Sequence, residues 1–316
     1  MCERRPPRGA VIGAALCTEV QEMSRELDLT RHDRSAKPTR IQRLAAALPE
    51  RYIVEREIGE GGAAYVLLAR DTERGEHVAI KILRPEMATV IGERRFLREI
   101  GIIQQFKHPN IVPLLDHGTV SGLIFFTSPF IKGDTLKERI KRKRKLPLAD
   151  VVSIISDVAA GLDHAHSRGI IHRDVKPANI LLADTGTVIA DFGIARAVAV
   201  ENADAITISG VALGTPEYMA PEQCGAMKEL DPRCDVYALG CVVHEMLIGA
   251  PPFTGKSDYA VINMQLTATA RPMRELDGSI PERVDHVVAK ALSKARAHRY
   301  RSAGEFFDAL DAAARV

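Results

Sequence analysis

Cysteine is scarce and shows no pairing pattern. The five residues Cys2, Cys17, Cys224, Cys234 and Cys241 are odd in number and contain no CxxC pair. That argues against a disulfide scaffold or a zinc site and suits a reducing cytosol. The chain also lacks any run of the roughly 18 apolar residues that a membrane helix needs. The nearest approach, "VYALGCVVHEMLIGA", is interrupted by His244 and Glu245 and reads as a buried helix. Neither sign of charge is in excess: Lys+Arg 43 against Asp+Glu 41 leaves a formal +2. Composition therefore points neither toward nor away from nucleic acid. No internal repeat is visible.

What is present is 316 residues, 46% hydrophobic and 27% charged, enough for two lobes with a core each. Arg4, Arg5 and Arg8 precede "GAVIGAALC", a superficial likeness to a signal peptide. The run is short and Leu16 is a poor cleavage residue. Residues 1–50 read as a disordered tail with one short helix at "TRIQRLAAAL", and Met23 is an alternative start to Met1.

From Tyr52, "YIVEREIGEGGAAYVLLARD" alternates apolar and polar residues around a glycine cluster, which predicts two strands and a tight turn. "EHVAIKIL" is a third strand, "GERRFLREIGIIQQF" is a helix, and "HPNIVPLLDHG" and "GLIFFTSPFIKG" are two more strands. After Gly133, helical patterns dominate at 134–144, 149–168, 232–248, 281–293 and from Ser302. A small β-rich lobe thus precedes a larger helical one, with the boundary near residues 129–133.

Four places carry chemistry. In "GEGGAAYV", residues 59–66, backbone without bulky side chains can approach phosphate oxygens closely, although an ordinary Gly-rich hairpin has the same look. A strand follows the glycines where a dinucleotide fingerprint needs a helix. In "VAIK", Lys81 can pair phosphates if a carboxylate such as Glu99 holds it; a surface Lys–Glu pair is the plain alternative. "HRDVKPAN", residues 172–179, sets five polar groups between aliphatic flanks (Ile170, Ile171 and Ile180, Leu181, Leu182). Such charges need partners there. Asp174 suits a base that orients a hydroxyl, Lys176 can neutralise a transferring phosphoryl, and Asn179 offers a carbonyl to a metal. In "ADFGIAR", Asp191 can bridge a metal to phosphates.

With "GTPEYMAPE" at 214–222 and "DVYALG" at 235–240, these motifs stand in one order and spacing. From Tyr52 to Leu310 the chain resembles the eukaryotic-like (Hanks-type) serine/threonine protein kinases of bacteria. The resemblance implies an α+β, two-lobed protein-kinase fold over residues 52–310. Its β-rich N-lobe, with one main helix, covers about 52–129, and its α-helical C-lobe about 130–310. It implies transfer of the γ-phosphoryl of ATP to protein Ser/Thr hydroxyls, with Mg2+ as cofactor and Mn2+ as a substitute.

By the same resemblance Asp174 is the base, Lys176 contacts the γ-phosphoryl, Lys81 pairs with Glu99, and Asn179 and Asp191 ligate the metal. ATP is lined by Ile58, Gly59, Glu60, Gly61, Gly62, Ala63, Ala64, Tyr65 and Val66. Ala79 and Leu181 complete the adenine sandwich with Val66. Ser128 is the gatekeeper, with the Pro129 carbonyl and the Ile131 N–H at the hinge, and its small side chain leaves a cavity. Leu114, Ile103, Phe192 and His172 form a column anchored by Asp235, and Glu222 pairs with Arg299. Thr215 with Lys176 is the serine/threonine-type signature. Thr207 and Ser209 are expected to be autophosphorylated, their phosphates facing Arg173 and Arg196.

Ala64 replaces the third loop glycine and Ala63 stands where a larger apolar residue is common; both are small enough to keep the loop close. A pseudokinase scaffold and a small-molecule phosphotransferase are the alternatives. The full set of catalytic residues and the long 191–222 segment argue against them. Partners implied are ATP, protein substrates and a second copy in a transient dimer, with no nucleic acid or membrane, in the cytoplasm. "APPFTGKS" at 250–257 matches a relaxed Walker pattern, but its prolines remove N–H groups that a phosphate nest needs. "KRKRK" at 141–145 reads as a solvated helix end.

Overall fold

Alternating apolar residues after Tyr52 build antiparallel strands, and the computed structural model describes the chain over residues 39–61, 64–84, 100–192, 215–225, 227 and 229–315. A short helix α1 (Arg40–Ala47) comes first. Strands β1 (Tyr52–Glu60), β2 (Ala64–Asp71), β3 (Glu76–Leu83), β4 (Asp116–Val120) and β5 (Leu123–Pro129) form one sheet in the order β1-β2-β3-β5-β4. Its pairings are all antiparallel. The register sets Lys81 opposite Val66 on one side and Phe126 on the other, and Ala79 opposite Ser128. Of the expected N-lobe helix, residues 100–103 are helical and the earlier part lies outside the described residues.

"HPNIVPLLDHG" was expected as a strand, but only Asp116 onward joins the sheet. Pro113 has no N–H to donate. The segment instead ties the two lobes together: Ile111 bridges Ile189, and Val112 N–H donates to Ile189 O at 3.0 Å.

The second sheet is β6 (Gly133–Thr135), β7 (Ile180–Ala183) and β8 (Gly186–Ile189). Gly133 has φ +149°, and a Cβ there would lie 2.2 Å from the Leu182 carbonyl oxygen, so only glycine lets β6 approach β7. Thr135 then caps helix α2 (Leu136–Lys143) with a reciprocal box. Its hydroxyl accepts from Glu138 N–H at 3.1 Å, and its own N–H donates to the Glu138 carboxylate at 2.8 Å.

The helical lobe is α3 (Leu148–His166), α4 (Pro221–Cys224), α5 (Arg233–Ile248), α6 (Asp258–Thr267), α7 (Met273–Leu276), α8 (Glu282–Ala291) and α9 (Ala303–Ala314). Helix α5 is buried on nearly every face and forms the axis of this lobe. Its continuous apolar sequence, broken only by polar groups that find partners, follows from that position. Helix α6 has no counterpart in the sequence expectations; its apolar residues are poorly segregated to one face, and only Val261 and Gln265 are buried. Of the stretch 1–50, residues 1–38 lie outside the described residues. Among the described residues no helix is long and apolar enough to cross a membrane.

Candidate active site

The loop 172–179 takes its shape from one buried carboxylate. Asp235, on α5 and 1% exposed, accepts from His172 N–H and Arg173 N–H at 2.8 Å each, and pairs with His166 Nε2 at 2.7 Å. Burial works to raise this carboxyl, but the His166 hydrogen bond, the electrostatic influence of His166 and His172, and the His172 backbone donor hold it below its usual range. Arg173 adopts φ +64°, an unusual conformation for a side-chain-bearing residue, which these bonds hold in place. His166 was not among the expected site residues, although it lies six positions before the motif.

His172 is fully buried, and burial pushes its imidazole below the ordinary histidine value. Its Nε2 lies 3.0 Å from the Ala190 carbonyl, and its Nδ1 accepts from Asp174 N–H at 3.2 Å. Those two contacts fit the neutral ring with its proton on Nε2. The imidazole thereby joins the loop carrying Asp174 to the segment carrying Asp191.

Around Asp174 the polar groups expected from "HRDVKPAN" converge. Asn179 Nδ2 donates to the Asp174 carbonyl at 2.8 Å and to its Oδ2 at 3.1 Å. Lys176 Nζ lies 2.7 Å from the same Oδ2 and donates to Thr215 Oγ1 at 3.3 Å. Asp191, at φ +60°, pairs through Oδ2 with Lys81 Nζ at 2.8 Å. Glu99, the expected partner of Lys81, lies outside the described residues, as do Gly62, Ala63, Arg196, Thr207 and Ser209. Two ammoniums and two carboxylates thus stand as two pairs, one within the 172–179 loop and one joining β3 to the segment carrying Asp191.

The apolar column also assembles. The Phe192 ring is 4.6 Å from His172 and 5.8 Å from Phe106, centroid to centroid. Ile103, Leu114, Phe126, Ser128 and Phe192 line a common cavity of about 30 Å³. The gap expected beside Ser128 is there, but at this size it admits a small group and not an aromatic ring. At the hinge, Phe130 N–H donates to His77 O at 3.0 Å. The β3–β5 register puts Pro129 opposite Val78, and Leu181 on β7 pairs with Thr135.

Below the site, Glu222 and Arg299 form the expected pair as a two-pronged contact of 2.6 and 2.8 Å, both side chains buried. Sequence reading missed the supports beside it. Gln223 Nε2 donates to the Arg173 carbonyl at 2.9 Å. The wholly buried Gln265 of α6 donates to the Pro216 and Glu217 carbonyls at 3.0 and 2.8 Å, and accepts from Tyr237 OH. A glutamine in an unexceptional helix carries no local signal of such a role.

Comparison with known proteins agrees with this geometry. The protein kinase domain model matches residues 52–307. A probable serine/threonine-protein kinase PknB of Bifidobacterium longum is 39% identical over 267 residues, covering 81% of this chain and 38% of the relative. The serine/threonine-protein kinase PknB of Mycobacterium leprae is 37% identical over 264 residues, covering 82% and 42%. The chain thus spans about two fifths of the length of these curated relatives. The crystal structure of the Mycobacterium tuberculosis PknI kinase domain is similar at a TM-score of 0.66 and 28% identity, covering 85% of this chain and 99% of that one. The chain belongs to the protein kinase family, on the serine/threonine branch that its bacterial relatives represent.

Proposed function

We propose that this chain transfers the γ-phosphoryl group of ATP to serine and threonine hydroxyls of proteins. The observation that carries the reading is the convergence on one Asp174 carboxylate oxygen of Asn179 Nδ2 at 3.1 Å and Lys176 Nζ at 2.7 Å, with Lys176 also on Thr215. A carboxylate so held is aimed and can accept the acceptor hydroxyl's proton. Lys176 beside it is placed to neutralise charge on the moving phosphoryl, and its bond to Thr215 joins the loop to the segment where a peptide would lie. Lys81 would pair phosphates from above, under the β1–β2 hairpin.

The residues present fit the ligands. Asn179 spends its amide NH2 on Asp174, which leaves its carbonyl oxygen for another partner, and the Asp191 carboxylate is about one third exposed. Among the described residues no three His, Cys, Asp or Glu side chains gather as a cage. Two protein oxygens are the number a magnesium ion shared with phosphates takes. Asn179 and Asp191 would hold it, and when bound it supplies charge neutralisation at the phosphates.

Autophosphorylation belongs to the same reading. Thr207 or Ser209 of one copy would enter the site of another in a transient encounter, and a phosphate there would meet Arg173 and Arg196. We place the chain in the cytosol, consistent with the free thiols of Cys234 and Cys241. Incubation of the purified chain with radiolabelled ATP and Mg2+, then phosphosite mapping, tests all of this. Label is expected on Thr207, Ser209 or both, with lower activity in the double alanine variant. A fully active preparation with both sites bare would remove the autophosphorylation reading, and no transfer at all would remove the kinase reading.

A further inference from the structure

Arg84 follows β3 directly, and its guanidinium reaches both strands of the β1–β2 hairpin. Nε donates to the Gly61 carbonyl at 3.0 Å, and an Nη pairs with Glu60 Oε1 at 2.7 Å. The guanidinium carbon stands 4.5 Å from the Tyr65 ring centroid. One planar, forked cation thus engages a backbone oxygen, a carboxylate and an aromatic face together, which a point-like ammonium does not.

Glu60 stands opposite Tyr65, and Gly61 N–H donates to Ala64 O at 3.0 Å. The β1–β2 ladder is irregular on its approach, with register shifts at Val54/Arg56 and Glu57/Gly59. Among the described residues, a Cβ added at Gly61 would meet nothing closer than the Ala64 carbonyl oxygen at 3.9 Å. The β2 arm is laddered to β3 as far as Ala64 opposite Leu83. The β1 arm neighbours β2 and not β3 in the sheet, so the Arg84 contacts tie it directly to the end of β3.

We propose that Arg84 is a positioning residue for ATP, pinning the β1 arm of the phosphate-covering hairpin to the end of β3, the strand that carries Lys81. The proposal rests on the kinase reading above, in which that hairpin and Lys81 face the phosphates. Arg84 is not among the residues named above as lining ATP. With the pin in place, the hairpin backbone and the ammonium keep a common spacing. Without it the cover opens more often, so nucleotide is held less well, while the groups around Asp174 are undisturbed.

Steady-state kinetics with ATP varied, together with release of a fluorescent ADP analogue, test the pin on the full chain. Arg84→Ala is expected to raise the KM for ATP about five- to ten-fold and to speed ADP release similarly, with kcat within about two-fold of wild type or higher. Arg84→Lys is expected to recover only the Glu60 contact and to fall between the two. Glu60→Gln and Tyr65→Leu remove single partners and should each give a smaller rise. Neither should add its full effect on top of Arg84→Ala, because they act through one contact set. If Arg84→Ala folds poorly, Arg84→Gln, which keeps most of the stem but not the charged fork, carries the test, because Glu60 and Tyr65 also line the nucleotide. A KM within two-fold of wild type, a loss in kcat alone, or full additivity with Glu60→Gln would overturn the proposal. Wild type that binds nucleotide no better than Arg84→Ala overturns only the pin. Wild type that binds no nucleotide overturns the kinase reading as well.

Discussion

At the scale of single residues, the site works by matching each charge to a partner that aims it. Asp174 is held by Asn179 and Lys176 rather than left to solvent. Asp174→Asn keeps the shape but removes the proton acceptor and one charge. Turnover is expected to fall at least about 100-fold while nucleotide affinity changes little, read by phosphorylation kinetics beside nucleotide binding. Near-normal turnover would show that Asp174 is not the base. Ser128 sits beside a cavity of about 30 Å³ bounded by Phe126 and Phe192. A methyl-sized substituent on an ATP-site compound fits that space, and burying it is worth about 0.8 kcal/mol, or about four-fold in affinity. Ser128→Met should cancel that gain and leave the KM for ATP within about three-fold. Equal affinity of wild type and variant for the substituted compound would show the cavity to be unused.

Among elements, the C-lobe is braced where short helices meet long ones. The Glu222–Arg299 pair joins α4 to the segment before α9, and Arg299 also donates to the carbonyls of Ser293, Arg233 and Lys294. Removing one member strands the other charge in a buried site, which costs about 3–5 kcal/mol. Arg299→Met and Glu222→Gln should each lower the melting temperature strongly. The double variant should be less destabilised than the sum of the two, measured by urea unfolding. The β1–β2 hairpin is the opposite case. Its β1 arm is tied to the end of β3 by one guanidinium, that of Arg84.

For the whole molecule, four histidines respond to acid in the same direction. Burial lowers His108, His164, His172 and His244 below the ordinary 6.5, with Arg168 adding to the effect at His108 and His164. A depressed folded-state value means the unfolded chain binds more protons. Their contribution is therefore complete above about pH 6.5 and is lost as pH falls from there toward the folded values. Glu245, raised by burial, acts oppositely and loses stability as pH climbs, but it is one group against four. The chain should melt lower at pH 5.5 than at pH 7.5, by a few degrees; each 1 kcal/mol shifts the midpoint about 2–4 °C at this size. A flat or inverted profile would show that these rings are not held neutral.

Much of this molecule is determined by its sequence alone. Alternation around the glycines dictated the β1–β2 hairpin, and long 3.6-residue periods dictated α3 and α8, because a buried stripe or face must recur with the backbone's own period. A nearly unbroken apolar run marked α5, which is buried on nearly every face. The motif order marked Lys81, Asp174, Lys176, Asn179 and Asp191, since charges between aliphatic flanks need partners and so announce themselves. Tertiary structure decided the rest. That His166 would pair with Asp235, that Gln265 would hold the 216–217 carbonyls, and that Arg84 would reach over Tyr65 to Gly61 are contacts between residues far apart in the chain. Their side chains have no local pattern to betray them, because what fixes such a contact is the approach of two elements and not the neighbours of either residue.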